Sequence, residues 1–253
     1  MTALTAPALA GLALFGLLAG IGITAIGPGG VLATIGLFAL TALPPAQVAG
    51  TAIVTHIATG VLATAAYTRS GHLRDPETRA TAGILAATAV AGTPLGVLAN
   101  SAVSTRMFGI VLAVFVTGVA ALVWYREKRS AAPDRRPRRW VVAAVGFAVA
   151  VVSGLVGVGG PMLSVPVLIA LGLPVLSALA AAQVESVVIA GVGTLGYVSA
   201  GAVDWPLAAL VGIPELTGVL IGWVIARAVP ARALKYALIT SLLIAAPYLA
   251  LHG

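Results

Sequence analysis

Three ionisable side chains stand inside long apolar stretches of this sequence: His56, Glu185 and Glu215. At hydrocarbon depth a charged group costs about 3 kcal/mol on insertion scales, so each calls for a partner or a task. Shifting the numbering by 130 pairs Thr55 and His56 with Glu185 and Ser186. Gln47, Thr51, Thr55, Gln183 and Ser186 add hydrogen-bonding groups to the same two segments. Thr51 and Thr55 are four apart and share one helix face. These types offer polar contact and proton exchange with a small solute. His56, Glu185 and Glu215 are the candidate proton carriers, and interhelical hydrogen bonding is the plainer role for all three. For Glu215 the position after Pro214 suggests a local role beside a freed carbonyl. Asp204 stands at a segment entrance and reads as a helix cap. There is no cysteine and no His-Glu-x-x-His, which excludes thiol nucleophiles and thiolate metal sites and leaves no enzyme reading, cofactor or metal site to expect.

The elements that must hold these groups are interrupted. Gly157-Val158-Gly159-Gly160-Pro161 and, further on, Pro166 lie within an apolar run from Trp140 to Pro174. Glycine leaves the backbone unshielded and proline removes a donor, so the run reads as a broken helix. The shift of 130 brings Gly157, Gly159 and Gly160 onto Gly27, Gly29 and Gly30. It also pairs Leu173-Pro174 with Leu43-Pro44, Tyr197 with Tyr67 and Gly201 with Gly71. A broken helix exposes a new N-terminus whose free amides and dipole favour negative charge. Val31 and Pro161 are the expected starts of the second half-helices, and proline is tolerated there. Unwound backbone in hydrocarbon occurs only where protein or a polar cavity covers it. The alternative is that these glycines only permit close helix packing.

At 60% hydrophobic, 8% charged and a mean hydropathy of +1.10, the chain departs far from the roughly one-quarter charged composition of soluble domains. It reads as an all-α polytopic membrane protein with room for eight spans, at about 20 apolar residues each, plus shorter pieces. The N-terminal apolar run has no basic region before it, so a cleaved signal peptide is not expected. Seven of fourteen basic residues fall in 126–139, so the charge of +7 marks a loop rather than a nucleic-acid surface.

Taken in order, an apolar segment over 9–26 and a short one over 31–43 form two tilted spans or a re-entrant hairpin. Spans are expected over 45–67, over 80–99 with a break at Gly92-Thr93-Pro94, and over 105–124. The second half repeats this with 140–156, 161–172, 174–198, 205–226 and 231–251. Gly92, Gly96 and Arg106 match Gly218, Gly222 and Arg232 at an offset of 126. The expected domains are a first repeat (1–125), a basic linker (126–139) and a second repeat (140–253). Basic loops face the cytoplasm, which puts the linker and the Arg227–Lys235 loop inside and both termini outside. Gly71 and Gly201 then fall on opposite faces, so the repeats are inverted. Each is a broken helix or helical hairpin at a Gly-rich motif plus three transmembrane helices, a plan many secondary transporters use.

These features resemble the TauE/SafE sulfite-exporter family, the toluene-sulfonate uptake permease superfamily, from about residue 9 onward. The resemblance rests on the repeated Gly-x-Gly-Gly break, the Leu-Pro that follows, and the small-residue span closing in Gly71 or Gly201. Gly157, Gly159, Gly160 and Pro166 fit its motif; the first copy departs, with Pro28 intruding and Gly36 where that proline is expected. It implies a secondary permease of the cell membrane for a small anion, either sulfur-containing (sulfite, thiosulfate, a sulfonate) or a carboxylate. The expected partners are that anion, the lipid bilayer and a co-transported proton or sodium. A channel, or a transporter of a cation or neutral solute, are the other readings. The candidate binding residues are Gly27, Gly29, Gly30, Val31, Gln47, Thr51, Thr55, His56, Gly157, Gly159, Gly160, Pro161, Gln183, Glu185 and Ser186.

Overall fold

A computed structural model describes residues 4–25, 28–127 and 137–228, with Tyr236, Thr240 and Leu243 as isolated positions. Gly27, most of the basic linker and most of the segment over 231–251 lie outside the described residues. The described chain is all helical. Seven helices are long and apolar enough to cross a membrane. They are α1 (Ala6–Ala25), α3 (Pro45–Arg69), α4 (Pro76–Ser101), α5 (Thr105–Glu127), α6 (Arg139–Val156), α8 (Val175–Ser199) and α9 (Trp205–Ala228). Two are half as long, α2 (Val31–Leu40) and α7 (Pro161–Ala170). Ten residues rise about 15 Å, half of a hydrocarbon core of about 30 Å. The segment expected over 31–43 is therefore shorter as a helix, because Thr41 adopts an extended conformation and ends it.

Local chemistry sets the helix ends. Pro45, Pro76 and Pro161 stand in first turns, where a missing N–H costs nothing. Asp75 Oδ2 accepts from the Thr78 amide and hydroxyl, both at 2.8 Å, and caps α4. Asp204 Oδ1 accepts from the Leu207 amide at 3.1 Å and caps α9. Gly71 and Gly201 close α3 and α8 at φ 86° and 64°, a left-handed conformation that favours glycine. The break expected at Gly92-Thr93-Pro94 does not occur. α4 runs through Pro94 without interruption, packed there against α6 and α8, although one carbonyl lacks its amide partner.

Two tight seams join the halves of the sequence. α1 packs along α9, and α4 along α6. In the first seam Gly20 abuts the Glu215 carbonyl and Gly218 abuts that of Leu17, while Thr24 Oγ1 bonds the Val219 carbonyl at 3.0 Å. In the second, Gly96 abuts the Val151 carbonyl and Gly154 that of Thr93. Small residues let backbones approach where lipid gives helices no hydrophobic reason to associate. α3 and α8 pack on each other between these seams, and α2 and α7 lie against them.

Backbone contact at Gly96 leaves no room for a side chain, since an added Cβ would fall 2.7 Å from the Leu155 amide nitrogen. Gly83 on the same helix has open space around its Cβ position. Gly96→Val should lower the melting temperature in detergent, by overpacking worth about 1–3 kcal/mol. Gly83→Ala should hold or raise it, since alanine is favoured over glycine in a helix by about 1 kcal/mol.

Candidate functional site

Where α6 ends, its last carbonyls find partners from three other helices. The Ser153 carbonyl accepts from the amides of Gly157 and Val158, with Gly157 at φ 74°. The Gly154 carbonyl accepts from the Tyr197 hydroxyl at 2.8 Å, and that of Leu155 from Asn100 Nδ2 at 2.6 Å. Thr34 of α2 reaches across and donates to the Gly157 carbonyl at 3.2 Å. The turn is thus satisfied by protein, as a helix end away from water requires. Four residues after Gly157, α7 begins at Pro161.

The N-termini of α2 and α7 both meet the middle of the α3–α8 pair. A Cβ on Gly30, which precedes α2, would lie 2.9 Å from Cε1 of His56. One on Gly159 would lie 2.6 Å from Ser186 Oγ, and one on Gly160 3.0 Å from Glu185 Oε2. Between them is a cavity of about 20 Å³, lined by Ile23, Gly30, His56, Thr59, Val158, Gly159, Pro161, Met162, Gln183 and Ser186. That is room for one water molecule or so. Both halves of the chain contribute to its wall.

His56 is 2% exposed, and Nδ1 lies 3.0 Å from Oε1 of Glu215, which is fully buried. Its other nitrogen, Nε2, has no hydrogen-bond partner among the described residues. Thr55 Oγ1 lies 2.5 Å from Glu215 Oε2 and 2.9 Å from the Ala52 carbonyl. Glu215 therefore does not serve the backbone near Pro214, as its sequence position suggested. The α1–α9 seam turns it towards α3, where Thr55 and His56 engage both carboxyl oxygens. Nor do His56 and Glu185 share the cavity wall. Glu185 is fully buried behind Gly160, with Oε2 2.5 Å from Ser164 Oγ and Oε1 unpartnered.

Of the residues expected at the site, Gly30, His56, Gly159, Pro161, Gln183 and Ser186 line the cavity. Val31 and Gly157 are buried next to it in sequence, and Gly29 packs on the backbone of Gly22. Thr51 is occupied elsewhere, accepting from the Asp204 amide at 3.0 Å and fixing the entry to α9. Gln47, nine residues before His56 on α3, is about 14 Å away along the helix axis. Gly27 lies outside the described residues. Sequence reasoning missed Ile23, Thr59, Val158 and Met162 in the lining and Ser164 as the partner of Glu185. Ser164 and Thr34 are equivalent at the shift of 130, so a hydroxyl recurring in both short helices was an available signal.

Seven helices long and apolar enough to cross a membrane, with two half-length helices set around a small cavity, make this a polytopic membrane protein. The chain belongs to the TauE/SafE family: the family model described as "Sulfite exporter TauE/SafE" matches residues 12–249 of 253. No curated protein and no solved structure matches it.

Replacing Ser164 by alanine strips Glu185 of its hydroxyl donor and leaves a fully buried carboxyl with no partner. The expected cost is about 1–3 kcal/mol, read as a lower melting temperature of Ser164→Ala in detergent. An unchanged melting point would mean that the carboxyl finds another donor.

Proposed function

We propose that this protein is a secondary transporter of a small anion, a sulfur oxyanion or a carboxylate, bound between the N-termini of α2 and α7 when the cavity there widens beyond the one-water size it has in this structure. The observation that carries this reading is the cavity itself. It brings two helix N-termini, one from each half of the chain, to a buried histidine whose Nε2 is unpartnered among the described residues. Free amides at helix N-termini and an imidazole N–H are donors suited to an anion. Each short helix covers half of the membrane thickness, which favours a site near the midplane. The family's description as sulfite exporters agrees with that ligand chemistry.

The architecture we infer is two inverted repeats, 1–125 and 140–253, joined by a cytoplasmic linker. The two seams support it. α1 on α9 and α4 on α6 are the same pairing once the halves are exchanged, and Gly92 and Gly96 stand where Gly218 and Gly222 do. The membrane potential opposes anion import by about 2.3 kcal/mol per charge per 100 mV, so import requires a co-transported cation and export does not. His56, Glu185 and Glu215 are the groups on which a proton could ride.

Alanine at Gly30 or Gly159 adds one methyl that projects onto side-chain atoms of the cavity wall, His56 Cε1 and Ser186 Oγ. Each variant should remain folded by size-exclusion chromatography. Each should lose sulfite flux in proteoliposomes by about tenfold, equivalent to about 1.4 kcal/mol of binding. Full flux in both variants would reject this cavity as the site. Ser70 and Ala200 are exposed ends of α3 and α8, and the chain has no cysteine. Single cysteines placed there should react with an impermeant thiol reagent from opposite faces of the membrane. Labelling from one face would rule out the inversion.

A further inference from the structure

We propose that His56 and Glu215 form a proton-operated anion latch, through which the cavity takes one singly charged oxyanion together with one proton. This rests on the reading of the cavity as the anion site and names what that site selects. The charge inventory is short. From α9 the imidazole faces Glu215 at 3.0 Å, and from α8 the nearest titratable group is Glu185, held on Ser164 behind Gly160. α1, α2 and α7 contain no titratable residue, and the charged residues of α4, α5 and α6 stand near their ends. No lysine or arginine lines the cavity. The imidazolium of His56 is therefore the single positive charge available among the lining side chains.

With Glu215 ionised, that charge is cancelled by the carboxylate it touches, and an entering anion would leave one uncompensated negative charge in a buried site. Such a charge is expensive. A proton on Glu215 removes the deficit, and the hydrogen-bond geometry has a place for it. Thr55 carries one hydroxyl hydrogen, yet its Oγ1 is within bonding distance of both the Ala52 carbonyl and Glu215 Oε2. Both contacts are filled at once when Oε2 carries a proton. Oε2–H then donates to Thr55, whose hydroxyl donates to Ala52. Oε1, now a carbonyl oxygen, still accepts from His56 Nδ1–H, so the ring keeps its orientation.

Loading is then a balanced step. The empty ion pair takes up one proton at Glu215 Oε2 and one monoanion at Nε2–H of the imidazolium, and the filled site is neutral. No covalent bond other than the new O–H forms, and none breaks. A dianion of the same size would leave the site with a net negative charge, so charge state is the basis of selection. Glu215 acts as a positioning residue in the empty site and as the proton acceptor on loading.

The experiment is calorimetric titration of the full chain in detergent with methanesulfonate and with sulfate. These are tetrahedral anions of similar size carrying one and two charges. Each titration is repeated in two buffers of different protonation enthalpy, which counts protons taken up per anion. The wild type should take up one proton with methanesulfonate and bind sulfate at least about tenfold more weakly, a difference of about 1.4 kcal/mol. Glu215→Gln presents a carbonyl to His56 and an N–H donor to Thr55, the pattern of the protonated acid. With no carboxylate to balance a charged ring, the empty imidazole rests neutral, so the variant should bind methanesulfonate with one proton taken up on His56. The wild-type ring, by contrast, is charged before and after loading; 15N NMR of the imidazole reads the difference. The latch is overturned if the wild type binds without taking up a proton, if sulfate binds as tightly, or if folded Glu215→Gln binds no anion. It is also overturned if the wild-type ring changes its charge on loading, or if the proton count falls in Glu185→Gln. If neither probe nor sulfite binds the wild type, the anion site itself falls and the latch with it.

Discussion

Every backbone polar group inside a hydrocarbon-embedded bundle has to be satisfied by the protein, and the rest of this structure follows from how that is met where α6 stops. Five side chains or amides supply the partners: Gly157 and Val158 turn back to Ser153, Tyr197 takes Gly154, Asn100 takes Leu155 and Thr34 takes Gly157. These come from the turn itself, α8, α4 and α2. A helix end in mid-bundle is therefore a junction of four elements, which fixes where α7 can begin and aims its N-terminus at the α3–α8 pair. Tyr67, equivalent in sequence to Tyr197, does none of this; its ring is half-buried and meets His72 at 6.0 Å. The two halves share a plan but not its hydrogen bonds.

The same divergence appears at the polar pair on the central helices. Thr55 and His56 match Glu185 and Ser186 at the shift of 130, yet their partners differ in origin. Glu185 stays within its own half, on Ser164 of α7. His56 crosses to Glu215 in the other half, along with Thr55. One buried acid thus braces a short helix against the helix that follows it. The other ties the two halves together at the cavity wall. A histidine with one nitrogen held by a carboxyl and the other facing a cavity has its ring orientation set by the protein itself.

Much of the fold was legible because hydrocarbon imposes simple rules. Apolar length marked the spans, Asp204 marked a helix start, and Gly71 and Gly201 marked helix ends. Pro94 misled, because a proline in a long apolar run was read as a break. α4 keeps its course there, packed against α6 and α8, and no local rule carries that information.

The sequence by itself determined a polytopic helical chain and marked two glycine-rich stretches and a small set of ionisable groups within its apolar segments. These follow from composition and periodicity, which act over a few turns of helix. Only the tertiary structure decided which of those groups meet. His56 pairs with Glu215, 159 residues away, rather than sharing a wall with Glu185. That choice depends on the Gly16, Gly20, Gly218 and Gly222 contacts that draw α1 and α9 together at backbone distance, and so on where α9 lies against α3. Side-chain partnership across a bundle is set by such long-range seams, whose geometry no residue spacing within one helix contains.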